Sequence, residues 1–257
     1  MTNIRNLLLI AVVGAPALAA AQAATFEVVG GAASFSDQHY AWAVSDDGLA
    51  VAGQCNLRSG TKPSNGFRWT ANTFDAIGDL PGNPVYSIAV SISGDGQYVG
   101  GISAANAANN QPAVRWSKAT GLQSLGLLTG GTQATAYGLS YDGSSAVGSC
   151  LLSNGQTRAF RWVHGTGMTA ITTSSSEARG ISGDGTIVAG YQLVSTQYVP
   201  FRWANGDLSS LPDLLGSKGG YGVGVSRDGQ AIVGASIVGQ NPTRTLGWKW
   251  TQATGTV

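Results

Sequence analysis

Five aspartates recur in one short motif, and their carboxylates are the first groups in the sequence that could do chemistry. Each lies in the pattern Ser-x-Asp-Gly, at Asp47, Asp95, Asp142, Asp184 and Asp228. Calcium needs several oxygens that converge on one site, whereas each copy of the motif offers one carboxylate and one serine hydroxyl. Asp and Ser side chains also bond backbone N–H groups in tight turns. We therefore interpret the motif as a turn, and we assign no metal and no cofactor.

The remaining carboxylates could serve hydrolysis, because glycoside hydrolases use a pair of them. The sequence holds only two glutamates, Glu27 and Glu177. The partners that would have to converge on Glu177 are Asp37, Asp79 and Asp213. The histidines have no partner at the spacing of a metal site or a catalytic triad, so packing or surface roles are expected for His39 and His164. A carbohydrate-active hydrolase that uses axial carboxylates is thus an alternative function, and no catalytic residue is assigned.

A second motif, an aromatic or apolar residue followed by a cation and a tryptophan, keeps step with the first. Its tryptophans could stack on sugars, but their regular recurrence favours a role in the core for Trp69, Trp116, Trp162, Trp203 and Trp250. Its cations could form a basic binding stripe. Five turn carboxylates match five cations, however, so we predict that a turn aspartate lies near each of Arg68, Arg115, Arg161, Arg202 and Lys249.

The two motifs belong to a unit that occurs five times, with motif serines 42 to 48 residues apart. Each unit divides into four short strand-like pieces, and Asp-Gly between two apolar runs indicates a hairpin. Four strands in a unit of this length are typical of a propeller blade. The sequence predicts an all-β fold, a single five-bladed β-propeller with four antiparallel strands per blade. A β-solenoid is the second architecture considered.

The two ends of the sequence suggest how the ring closes. The fifth unit stops at 255–257, where its fourth strand should begin, and the segment 26–31 has the spacing of that missing strand. We predict that this N-terminal strand closes the last blade, since unpaired strand edges are liabilities. The alternative is that the chain is a fragment.

Small residues precede each turn and place the first strand of each unit innermost, where strands crowd toward the axis. The positions between them vary from unit to unit, so a site is expected there, near the axial mouth. The predicted ligand-binding residues are Tyr40, Trp42, Tyr137, Glu177, Arg179 and Tyr221. A glycan or a peptide would suit them. The alternative is ordinary filling of the axis, with a contact between Glu177 and Arg179.

The turn motif, the glycine five residues after it and the Phe-Arg-Trp strand resemble the HAF-type extracellular repeats of exported bacterial proteins. The resemblance covers essentially all of the chain after its N-terminal segment, and it implies an exported repeat protein without an assigned activity. The fifth copy departs from the pattern with Trp248-Lys249-Trp250.

The N-terminus has the pattern of a secretory signal peptide over residues 1–23, with Arg5, an apolar run and Ala21-Gln22-Ala23 as the cleavage site. Residues 24–257 form the predicted propeller, with no further stretch long enough to insert into a membrane. Two unpaired, buried thiols are expected for Cys55 and Cys150, because equivalent positions two blades apart exceed disulfide distance.

The formal net charge of +1 gives no electrostatic case for nucleic acid. The sequence thus predicts an exported, non-enzymatic binding or surface-interaction module, in the periplasm, outside the cell or on its surface. Its partners would be a glycan, a peptide or a surface protein. A structural portion of a larger secreted or autotransporter protein is the third hypothesis.

Overall fold

A computed structural model describes residues 38–56, 64–71, 73–81, 86–104, 111–212, 214, 217–239 and 244–257. The predicted signal peptide and the predicted N-terminal strand lie outside the described residues, as do Asp37 and Asp213. Within the described part, no helix is long and apolar enough to cross a membrane.

The described residues contain twenty strands, which form five sheets of four. Sheet 1 comprises β1 (Gln38–Val44), β2 (Ala50–Asn56), β3 (Ser64–Thr70) and β4 (Thr73–Ala76). Sheet 2 comprises β5 (Tyr86–Ile92), β6 (Tyr98–Ala104), β7 (Ala113–Ser117) and β8 (Gly121–Gly126). Sheet 3 comprises β9 (Gly131–Leu139), β10 (Ser145–Leu152), β11 (Thr157–Val163) and β12 (Gly167–Ala170).

The last two sheets follow the same order. Sheet 4 comprises β13 (Ser176–Ile181), β14 (Ile187–Val194), β15 (Gln197–Ala204) and β16 (Asp207–Ser210). Sheet 5 comprises β17 (Ser217–Val225), β18 (Ala231–Val238), β19 (Arg244–Thr251) and β20 (Gly255–Thr256). Every sheet is antiparallel, and its strands pair in chain order. The prediction of five units with four antiparallel strands each is confirmed.

Each turn motif is held by the same three hydrogen bonds, shown here for the first copy. Ser45 Oγ donates to Asp47 Oδ1 at 2.6 Å, and the Leu49 amide donates to the same oxygen at 2.9 Å. The Ala50 amide donates to Ser45 Oγ at 2.9 Å. The other four copies repeat these bonds. The aspartates therefore serve the turns, as the sequence indicated.

Consecutive sheets pack face to face, and apolar residues fill the four joints between them. The joint between sheets 1 and 2, for example, buries Ala52, Ala89, Val99 and Trp116. Three similar clusters fill the following joints. Trp116 and Trp162 belong to these clusters, and Trp203 and Trp250 pack against them. Trp69 is buried outside the four clusters, so the predicted role of the motif tryptophans in the core is confirmed.

A cation from each of several sheets reaches the turn of the next sheet, but its partner differs from the predicted one. Arg115 Nη1 donates to the carbonyl oxygen of Gly143 at 2.7 Å, and its guanidinium carbon lies 4.8 Å from the Trp162 ring centre. Arg68 and Arg161 donate to Gly96 and Gly185 in the same way. The predicted rim is correct, whereas the bonding partner of these arginines is the glycine carbonyl of the turn.

The joint between sheet 5 and sheet 1 differs from the other four. Val233 is 45% exposed, whereas its counterparts Ala52, Val147 and Ala189 are fully buried. Ala41 is exposed, whereas Ala89, Ala136 and Ala178 are fully buried. A Cβ atom built on Gly48 would meet nothing within 4 Å, while Gly96, Gly185 and Gly229 lie against the preceding sheet. Sheets 1 and 5 are joined near the axis by Arg227 Nη1 and Asp46 Oδ2, 3.3 Å apart. The described residues therefore form a ring with one open radial joint.

The edge of sheet 5 corrects one detail of the sequence prediction. Strand β20 pairs with Trp250 and Thr251, so the C-terminal residues already begin the fourth strand of this sheet. Backbone bonds between Lys249 and Val257 continue it. An N-terminal strand would therefore have to lie beside the earlier part of β19, rather than replace the whole fourth strand.

Candidate functional site

A β-bulge interrupts the pairing of every inner strand at the same place. In sheet 1 the register shifts between Ala41 and Ala43, which leaves Trp42 as the extra residue. The other inner strands shift at the equivalent place. A bulge re-aims the side chain that it carries, and the residues that line the axis from these positions are Trp42, Val90, Tyr137, Arg179 and Val223. A position that varies between the units thus faces the axis.

The bulge also explains the glycine five residues after each turn. A Cβ atom at Gly148 would lie 1.8 Å from the carbonyl oxygen of Thr135 on the inner strand, and 2.9 Å from the Phe160 ring. The other repeated glycines, Gly53, Gly101, Gly190 and Gly234, face the equivalent carbonyl at 1.9–2.1 Å. Only a residue without a side chain lets the bulged strand approach.

The bulged residues surround an axial cavity of about 530 Å³, a size within the range of small-ligand sites. Tyr191, Tyr221 and Ala235 complete its lining. Sheet 1 contributes Trp42 and sheet 5 contributes Tyr221, so the cavity lies on both sides of the open joint. Aromatic and apolar groups form most of its wall, with few polar groups among them.

The charged group in the cavity wall is Arg179, which interacts with three other side chains. Arg179 Nη2 lies 2.5 Å from Glu177 Oε2, and its guanidinium carbon lies 4.2 Å from the centre of the Tyr137 ring. Burial would lower the pKa of Arg179, but its hydrogen bond with Tyr191 and the charge of Glu177 outweigh burial and raise it. The contact between Glu177 and Arg179 that the sequence suggested is present, and it leaves the cavity wall without net charge.

Three tyrosines pack together beside this pair. Tyr191 meets Tyr198 and Tyr221 edge to face, with ring centres 5.2 and 4.9 Å apart. Burial raises the pKa of Tyr191 to about 12, so its phenol stays protonated at neutral pH. The cluster packs around Tyr191, whose hydroxyl group forms a hydrogen bond with Arg179.

An aromatic pair lies on the opposite side of the cavity. The Tyr40 and Trp42 rings stack with their centres 6.1 Å apart and their planes 17° apart. Trp42 is 56% exposed and Tyr40 is 43% exposed. This stacking orients the indole ring of Trp42. More than half of Trp42 stays exposed to solvent.

The axis is closed at the end where the turns lie. Backbone hydrogen bonds link the turns of neighbouring sheets, as from the Tyr141 amide to the Gly183 carbonyl at 2.8 Å. The Arg227 guanidinium carbon lies 3.8 Å from the Tyr141 ring centre and its Nη1 contacts Asp46. A much smaller space of about 110 Å³ remains there. The axial cavity is therefore reached from the other end.

The structure brings the six predicted site residues to one end of the axis. Trp42, Tyr137, Arg179 and Tyr221 line the cavity, Glu177 contacts Arg179, and Tyr40 stacks on Trp42. Sequence reasoning missed Tyr191, which follows a repeated glycine on the second strand of its sheet. The residue after that glycine also varies between the units, and this was the signal that could have found it.

The hydrolase alternative finds little support among the described residues. The carboxylate of Glu177 is held by Arg179. His39 packs against Phe67 and Phe74, whereas His164 is an exposed residue beside Trp162, so they have the packing and surface roles that were expected. No group of three or more potential metal ligands occurs in the part of the chain that the structure describes. Cys55 and Cys150 are buried free thiols, as predicted, and burial raises the pKa of each.

No family model and no curated protein matches the chain. Among solved structures it is similar to TolB from Acinetobacter baumannii, with a TM-score of 0.57 and 15% identity over 82% of this chain and 52% of that one. It is also similar to the β-propeller domain of the Trilobed protease from Pyrococcus furiosus, which has an open velcro topology, with a TM-score of 0.54 and 12% identity over 87% and 72%.

A third similar structure is prolyl oligopeptidase B from Galerina marginata, with a TM-score of 0.56 and 8% identity over 87% of this chain and 34% of that one. This chain spans about half the length of the TolB structure that it matches. At such identities the likeness shows the fold alone, which is that of a β-propeller.

Proposed function

We propose that this chain is an exported, non-enzymatic binding module that takes its ligand in the axial cavity. The main observation in support is the place in the structure of the positions that vary between the repeat units. The repeated positions build turns and joints, whereas the positions that differ between the units meet around one cavity of about 530 Å³. The cavity has an aromatic wall, an ion pair whose charges neutralise each other and an open end, which together suit a ligand with both apolar and polar groups.

The finer architecture that we propose is a five-bladed propeller of HAF-type repeats, exported through the signal peptide of residues 1–23. Residues 24–37 close the ring in this proposal. They directly precede β1, which borders the open joint, and they contain the apolar residues Phe26, Val28, Val29 and Phe35. The exposed apolar surface at Val233 and Leu246 is the surface that they would cover.

The test of the binding site uses residues 24–257 and a matched pair of tyrosine variants. Tyr137→Ala removes a ring from the cavity, whereas Tyr141→Ala removes a half-exposed ring from the opposite end of the axis. Both proteins are applied to arrays of glycans and of peptides, and their melting temperatures are compared with that of the unaltered chain.

We expect binding that Tyr137→Ala weakens at least about tenfold and Tyr141→Ala leaves unchanged, since a tenfold change is about 1.4 kcal/mol. Binding that both variants leave intact would place the ligand elsewhere and would refute the axial site. A chain that binds neither class of ligand would refute the proposed function.

A further inference from the structure

We infer that the ligand of the axial cavity is a neutral carbohydrate. This inference rests on the proposed function and names the ligand class that the cavity wall recognises. Three features of the described residues support it: the balance of charge, the placement of hydroxyl groups, and one open aromatic face.

The balance of charge disfavours an ionic ligand. Arg179 is the cation that lines the cavity, and Glu177 neutralises it at 2.5 Å. An anionic ligand would have to compete with Glu177 for the guanidinium, and a cationic ligand would have to compete with Arg179 for the carboxylate. Either competition leaves a partly buried charge without its partner, which is costly. A neutral ligand leaves the pair intact.

The ion pair can still make directional hydrogen bonds. Guanidinium N–H groups that are not used by Glu177 can donate, and carboxylate oxygens can accept. The side chains of Arg179 and Glu177 keep 38% and 22% of their surface exposed, so both remain within reach of a ligand. Tyr191 and Tyr221 add phenol groups that both donate and accept. A ligand that is rich in hydroxyl groups matches this set.

The open aromatic face is provided by Trp42. Stacking on Tyr40 fixes the orientation of its ring, and more than half of the residue is exposed. Sugar rings present an apolar face of C–H groups with hydroxyl groups around its edge. The lining of the cavity contains the same two kinds of surface, a flat indole from Trp42 and polar groups from Arg179 and the tyrosines.

A peptide would use these features less fully. Extended peptides gain much of their affinity from backbone pairing with a free strand edge. The inner strands already use part of that edge between sheets, as in the bond from Ser91 Oγ to the Ala136 carbonyl at 2.9 Å. The geometry therefore favours carbohydrate over peptide.

The test applies residues 24–257 to three sets of probes. One set contains neutral oligosaccharides of glucose, galactose, mannose and N-acetylglucosamine. The second contains uronic-acid and sialylated oligosaccharides, and the third contains short peptides. We expect binding to a member of the neutral set alone. Trp42→Ala should weaken it at least about tenfold, while Trp42→Phe should restore part of the affinity because it keeps an aromatic face.

The Glu177→Gln variant is expected to gain affinity for one set of probes, and a loss of structure could not produce such a gain. The substitution frees the charge of Arg179, so we expect it to gain affinity for the acidic oligosaccharides. Tyr141→Ala, at the closed end of the axis, should bind like the unaltered chain. A chain that binds acidic oligosaccharides or peptides, with loss in Trp42→Ala, would overturn the neutral-carbohydrate inference and leave the binding site standing. Oligosaccharide binding that Trp42→Ala leaves intact would overturn the axial site itself.

Discussion

At the scale of single residues, the repeated glycine shows that a residue that recurs at a regular spacing need not take part in binding or catalysis. The missing Cβ atom of Gly148 makes room for the Thr135 carbonyl, and that close approach accompanies the bulge that turns Tyr137 toward the axis. Gly148 thus helps to position the side chain of Tyr137, although it has no side chain with which to contact Tyr137.

Two glycine substitutions test this explanation. Gly148→Ala would place a Cβ atom 1.8 Å from a backbone oxygen, so we expect a loss of more than about 3 kcal/mol in the free energy of unfolding. Gly247→Ala is the matched control, because its nearest neighbour would be 3.9 Å away and alanine occupies the equivalent positions 113 and 159. We expect it to change that free energy by less than about 1 kcal/mol. Urea unfolding measures both, and equal losses would contradict the steric explanation.

At the scale of elements, two structures repeat: the Ser-x-Asp-Gly turn within each sheet and the packed joint between neighbouring sheets. The serine and aspartate of each motif satisfy the backbone of one hairpin. The arginine of the preceding sheet then binds the glycine carbonyl of that hairpin and stacks on the tryptophan beside it. Each turn is therefore stabilised from within its own sheet, and the turns at Gly96, Gly143 and Gly185 are also bound by an arginine of the preceding sheet.

The turns predict a dependence of stability on pH. Hydrogen bonds from Ser45 and the Leu49 amide lower the pKa of Asp47, and those from Ser182 and the Thr186 amide lower the pKa of Asp184. A carboxyl group whose pKa is lower in the folded state contributes stability that is complete above its unfolded pKa. That stability is lost as pH falls below about 4.

Urea midpoints between pH 7 and pH 3 measure this effect. We expect the midpoint to fall across the acidic part of that range, and to fall less steeply in Asp184→Asn, which has no proton to take up at that turn. If the two pH profiles run parallel, the carboxylate of Asp184 does not contribute to the acid sensitivity.

The joint predicts the effect of removing one buried cation. Arg115 is 5% exposed, and burial lowers the pKa of its guanidinium while Tyr98 and Asp142 oppose that shift. Arg115→Met keeps much of the apolar volume but leaves the Gly143 carbonyl without its donor, so we expect a loss of about 2 kcal/mol in the free energy of unfolding.

Lys118→Met is the control for this substitution. Its side chain is 69% exposed and pairs with Asp75 at the surface, so we expect a change below about 1 kcal/mol. Calorimetric unfolding compares the two variants. A similar small effect for both would mean that the arginine in the joint fills space without bonding the turn.

At the scale of the whole molecule, the open joint is the feature that sets this chain apart from a uniform ring. Among the described residues, apolar side chains fill four joints, whereas at the fifth Val233 of sheet 5 and Ala41 of sheet 1 are exposed. Among the described residues, the Asp46–Arg227 pair links these two sheets near the axis. Because the axial cavity borders the same joint, closing it would also complete the wall of the site.

Radical footprinting tests the proposed closure. Leu246 is 47% exposed among the described residues, and residues 24–37 would cover it. We expect weak labelling of Leu246 in the form that starts at residue 24, and stronger labelling in a form that starts at residue 38. Leu208, 38% exposed on β16, should be labelled alike in both. Equal labelling of Leu246 in the two forms would show that the segment does not lie beside β19.

The sequence by itself determined the repeat, the turns and the order of strands, because these depend on local chemistry. Asp-Gly demands a hairpin wherever it lies between apolar runs, and Gly48, Gly96, Gly143, Gly185 and Gly229 all adopt positive φ. The varied inner-strand positions were enough to locate Trp42, Tyr137 and Arg179 at the axis, because small neighbours required that strand to be innermost.

Only the tertiary structure decided what those residues meet. The bulge that turns them inward, the carbonyl partner of Arg115 and the approach of Tyr191 to Arg179 all join groups from separate strands or separate sheets. The open joint is also a tertiary property, since Val233 has the same local sequence pattern as its buried counterparts. Local pattern fixes how each unit folds, whereas the packing of one unit on the next fixes which surfaces remain free to bind.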